Sequence, residues 1–79
     1  MRANRAFRLL VSREGRGPRL FARADRLDRI EVVEIDSGEV VLFWDLPSRE
    51  ASRLARALRD DMSLMEADDF LAAWRATQE

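Results

Sequence analysis

The sequence predicts an α+β domain: a four-stranded antiparallel β-meander followed by two C-terminal α-helices packed on one face. Three observations carry that expectation. The first half alternates apolar with polar residues or runs β-branched, the period-two habit of strands. Asp36-Ser37-Gly38 lies between two such runs and suits a hairpin turn with glycine in the left-handed position. From Ser48 onward apolar residues recur at intervals of three and four, as on a helix with one buried stripe.

Residues 6–12 place Phe7, Leu9 and Val11 on one face of a strand and Arg8, Leu10 and Ser12 on the other. Glu14-Gly15-Arg16-Gly17-Pro18 then supplies turn chemistry. Residues 19–28 read two ways. A strand puts Leu20, Ala22 and Ala24 on one face, while a helix opened by Pro18 lines up Leu20, Phe21, Ala24 and Leu27. The glycine turn before and the strand after favour a strand over 19–24 with a loop to 28; the helix stays open. Residues 29–35 and 40–44 are rich in Ile, Val and aromatic residues and form the clearest strand pair. Leu46-Pro47-Ser48 marks a switch to helix, with Asp45 or Ser48 as cap and Pro47 in its first turn. Ala51, Leu54, Ala55, Leu58 and Met62 form its buried stripe. Ser63 and Glu66 have the spacing of a capping box for a second helix, which carries Ala67, Phe70, Leu71 and Trp74 inward. Asp60 and Asp61 sit unfavourably at the negative end of the first helix.

The chain has 79 residues, room for a single domain over 1–79. Its 47% apolar content is that of a folded protein. The N-terminal stretch has no cleavable leader pattern and no run is long enough to span a bilayer, so a cytoplasmic location is expected. His, Cys and Tyr are absent, and all 14 basic residues are arginine. Without His, Cys or Lys the usual acid–base and covalent chemistries lose their principal residues. A non-enzymatic protein is the expectation, with no cofactor and no small-molecule substrate. Asp60-Asp61 and Asp68-Asp69 lack the spacing of a calcium loop, so no metal is expected either.

Residues 30, 32, 40, 42 and 44 share one predicted face of the strand pair; Val33, Ile35, Val41 and Phe43 share the other. Both faces are apolar, whereas a surface sheet usually has one polar face. Two helices cover one face, which leaves Val33, Ile35, Val41 and Phe43, rimmed by Arg23 and Arg26, as a candidate interface for a homodimer or a protein partner.

A second reading starts from charge. Residues 1–30 hold nine arginines against three acids, and residues 31–79 hold five against twelve, within a net charge of −1. Arg8, Arg13, Arg16, Arg19 and Arg23, with Phe7 and Phe21 interleaved, are the residue types that bind phosphates and stack single-stranded bases. In strand order alone, four strands followed by helix resemble the whirly-type single-stranded-DNA-binding transcription cofactors, and that resemblance implies a nucleic-acid surface. Pairing of these arginines with Glu31, Glu34 and Glu39 across the sheet is the structural counterpart of the same pattern.

Overall fold

The computed structural model describes residues 1–14 and 27–78. A short helix α1 (Ala3–Ala6) leads into β1 (Phe7–Glu14). Two further strands, β2 (Leu27–Glu34) and β3 (Val40–Pro47), precede α2 (Ser48–Leu64) and α3 (Ala67–Arg75), and a 3₁₀ turn (Ala76–Gln78) follows. The sheet is antiparallel in the order β1-β2-β3. The α+β class with helices following the sheet is therefore present, with three strands among the described residues.

The expected strand at 19–24 lies outside the described residues. The meander that placed it between the first strand and the 29–35 strand is corrected, however, because β1 occupies that position. Phe7 pairs with Glu34 and the ladder runs without a shift to Glu14 opposite Leu27. Leu27 and Asp28, expected in a loop, open β2 instead. The hairpin from β2 to β3 forms as expected. Gly38 adopts φ +75°, and its N–H donates to the Glu34 carbonyl at 2.8 Å. Ser37 Oγ donates to Glu34 Oε1 at 2.6 Å and accepts from the Glu39 N–H at 3.2 Å, which fixes the turn.

A register shift between Val32 and Val33 alters the expected faces. Val32 lies opposite Leu42, whereas Val33 lies opposite Val40, so Val41 is an extra residue in β3. One inserted residue reverses the side-chain phase. Val40 therefore points away from the helices and is 47% exposed, while Val41 packs against the core. The expectation that placed Val40 inward and Val41 outward is corrected at these two positions.

The helices cover one face of the sheet. Ile30 and Val32 of β2, Leu42 of β3 and Phe7 of β1 meet Ala51, Ala55, Leu58 and Met62 of α2 and Phe70 of α3, all buried. The α2 stripe matches the sequence pattern, with Leu54 half-buried at its margin. Phe70 lies 5.7 Å from the Phe7 ring and 6.4 Å from Trp74. Trp74 in turn meets Trp44 edge-on at 6.0 Å. Its indole N–H donates to Asp61 Oδ2 at 3.0 Å, so one of the two acids at the end of α2 has a structural task.

Neither helix is capped as the sequence suggests. The N-cap of α2 is Pro47, without a side-chain bond. Ser63 lies inside α2 and its hydroxyl donates to the Asp60 carbonyl, so the capping box with Glu66 does not form. The α2–α3 junction is held from the N-terminus instead. The Ala3 N–H donates to the Met65 carbonyl and the Ala67 N–H to the Met1 carbonyl. Arg2 Nη1 donates to the Leu64 carbonyl at 3.0 Å, placing a cation at the negative end of α2. The Met1 ammonium lies 2.8 Å from Glu66 Oε1 and holds that carboxyl below its ordinary value of 4.5.

Truncating Phe70 to alanine removes the ring that joins α3 to β1 and should destabilise the fold by about 3–5 kcal/mol in urea unfolding. Asp61→Ala leaves the Trp74 N–H without its acceptor and should cost about 1–2 kcal/mol, with a change in tryptophan emission.

Candidate interaction face

The face of the sheet turned away from the helices is built in rows by the strand register. Arg8, Val33 and Val40 form one row across β1, β2 and β3; Leu10, Glu31 and Phe43 form the next; Ser12, Arg29 and Asp45 the third. The rows near the hairpin are largely apolar. Leu10 is 40% exposed, Ile35 46% and Phe43 49%, with Val33 half-buried between them. Together with Val40 they leave on the order of 400 Å² of apolar surface in water, the size of patch that on a monomer is often functional.

The third row is polar. Arg29 donates from Nε to Asp45 Oδ1 at 2.9 Å and from Nη2 to Oδ2 at 3.0 Å, a two-pronged pair. The same guanidinium lies 5.0 Å from the centre of the Phe43 ring. Arg29 thus contacts both Asp45 and Phe43. Its hydrogen bonds hold the Asp45 carboxyl below the ordinary 3.8.

At the hairpin end, Arg8, Leu10, Val33, Glu34, Ile35 and Gly38 enclose a hollow of about 150 Å³. Gly38 contributes openness here, because nothing lies within 4 Å of where its Cβ would stand. Glu34 is engaged by Ser37, whereas Arg8 has no ion pair among the described residues.

Of the residues that the sequence marked for an interface, Val33, Ile35 and Phe43 share this face. Val41 is turned to the core and Val40 stands in its place. Arg23 and Arg26 lie outside the described residues. Leu10 was overlooked as part of this surface; the signal was an apolar residue on the polar side of an alternating strand, between Arg8 and Ser12. Of the nucleic-acid set, Arg8 lies on the open face. Phe7 is buried against Phe70 and cannot offer its ring to a base, which corrects its assignment. Arg13 lies in β1 opposite Asp28; Arg16, Arg19, Phe21 and Arg23 lie outside the described residues.

Further hollows among the described residues lie on the helix side. One of about 350 Å³ separates Val11 of β1 from Ser52, Arg56 and Arg59 of α2, with the buried Asp28 at its base. Another of about 340 Å³ lies beside Phe7, Glu66 and Leu71. Among the described residues no three carboxylates gather into a metal-holding group, no buried side-chain polar atom lacks a hydrogen-bond partner, and no helix is long and apolar enough to cross a membrane. No protein-family model, curated protein or solved structure matches the chain.

The Arg29–Asp45 pair has a defined pH signature. The folded-state pKa of Asp45 is depressed, so its contribution to stability is present above about pH 3.8 and is lost as pH falls through the lower folded value. Carboxyl NMR titration should give Asp45 a midpoint below 3.8, and Arg29→Gln should return it to the ordinary range.

Proposed function

We propose that the protein is a non-enzymatic interaction module, acting in the cytoplasm, that docks a protein partner on the open sheet face. The observation that carries this reading is the one-sided helix cover, which leaves Leu10, Val33, Ile35, Val40 and Phe43 as an apolar surface beside a polar row. The partner chemistry follows from the hollow at the hairpin end. It has the volume of a single branched or aromatic side chain and is bordered by Arg8. A segment presenting an apolar side chain next to a carboxylate would fill the hollow and give Arg8 a counter-charge. Burial of that side chain is worth about 1.5–3 kcal/mol, and the Phe43 ring, with the Arg29 guanidinium beside it, adds apolar surface in the neighbouring row.

The charge of this face favours a protein over a polyanion. Arg8 and Arg29 are matched by Glu31 and Asp45 in the same three rows, and Arg29 is already paired with Asp45. A nucleic-acid site needs an excess of cations, which these rows do not carry among the described residues.

Selection from a random peptide display library on immobilised protein tests the reading. Wild-type protein should enrich peptides in which an apolar residue neighbours Asp or Glu. Val33→Asp should abolish enrichment, and Arg8→Glu should shift it away from acidic sequences. Failure to enrich any such motif, together with oligonucleotide binding that weakens steeply with salt, would overturn the protein-docking reading in favour of nucleic acid.

A further inference from the structure

The two edges of the sheet are treated differently. On β3 the strand is bulged at Val41 and ends at Pro47, and the Phe43 carbonyl accepts the Gln78 side-chain amide at 3.0 Å. Bulges, proline and capped carbonyls are the usual means of discouraging an added strand. None of these occurs on β1. Its ladder is regular over eight residues, and no described residue pairs with its outer edge.

The hydrogen-bond parity identifies the groups left on that edge. The Ile35 N–H donates to the Ala6 carbonyl, so Arg8, Leu10 and Ser12 exchange ladder bonds with β2. Leu9 and Val11 then direct their N–H and C=O groups outward. The N–H of Phe7, which has the same parity, is already satisfied by the Ala3 carbonyl. Exposure follows the same logic. Leu10 and Val11 lie on opposite faces of β1, yet they are 40% and 44% exposed. Apolar residues exposed on both faces of β1 are consistent with an edge that has no neighbour among the described residues.

We infer that β1 is the seam of a homodimer, in which two copies pair their β1 edges antiparallel about a two-fold axis through Leu10. Leu9 then lies opposite Val11 of the second copy, in hydrogen-bonded pairs that use the outward groups of both. Leu10 lies opposite Leu10 of the second copy in a non-hydrogen-bonded pair, where side chains approach most closely. The same axis sets the two α2 helices antiparallel on one side of the joined sheet. The assembly is a continuous six-stranded sheet with its two open faces side by side. The seam uses the edge of β1 and does not rest on what binds the open face.

The chain has no native cysteine, so single-cysteine variants report the seam without background. Sedimentation analysis of the wild type should give twice the 9.2 kDa chain mass. Leu10→Cys should form an inter-chain disulfide on mild oxidation, because opposed residues of a non-hydrogen-bonded pair meet disulfide geometry. Phe43→Cys, exposed on the same face but on β3, should not. Val11→Pro removes an outward N–H while leaving the β1–β2 ladder intact; it should yield a monomer with an unchanged far-ultraviolet circular dichroism spectrum. A monomeric wild type throughout the micromolar range, equal cross-linking of the two cysteine variants, or a dimer that survives Val11→Pro would each overturn the inference.

Discussion

Phe70 is the point at which the two layers of this small domain are joined. Its ring meets Phe7 at the start of β1 and Trp74 one turn further along α3, and Trp74 reaches Trp44 on β3. Through this chain of rings α3 is tied to both edge strands, while α2 supplies Leu58 and Met62 beneath. A domain of this length buries only about 60% of the surface its unfolded chain exposes, so it has one core to build. That core lies on one side of the sheet, and the exposure of the other side follows from it.

The bulge at Val41 then determines what the uncovered side looks like. Without it the alternation would put Val40 in the core and Val41 beside Val33 on the open face. With it, the apolar residues collect at the hairpin end, and the Arg29–Asp45 pair holds the far side of Phe43. An exposed ion pair contributes little to stability. Its consequence here is geometric, because it limits the positions available to Phe43 and separates an apolar zone from a polar one. The bulge also distinguishes the two edges of the sheet: β3 is bulged and capped, whereas β1 pairs without a shift.

The parts of this fold that were legible in the sequence are those set by local pattern. The hairpin at Asp36-Ser37-Gly38 rests on glycine at positive φ, and the α2 stripe on helical periodicity; both appear as expected. The phase of β3 was not legible, because a run of five apolar residues from Val40 to Trp44 has no alternation from which to read it. The direct pairing of β1 with β2 depends on closing a twelve-residue connection, and no local motif states which strand lies beside which. The capping of α2 was missed for a similar reason. Its partners come from Met1 to Ala3, more than sixty residues away, while Ser63 and Glu66 offered a local motif that the longer helix absorbed. Of the candidate interface, Val33, Ile35 and Phe43 were read correctly onto one face, whereas Val41 followed from an unbroken alternation that the bulge interrupts.

The account depends on a sheet with one sealed face and one open face, and solvent accessibility of methyl groups in solution measures that directly. With a soluble paramagnetic agent, the methyls of Leu10, Val33, Ile35 and Val40 should relax strongly, whereas those of Ile30, Val32, Leu42 and Val41 should be protected. Pairing through β1 reduces the effect at Leu10 alone and leaves the other three open. Protection of Val33, Ile35 and Val40 equal to that of Ile30 and Val32 in the isolated protein would contradict the account, since the open face would then already be covered.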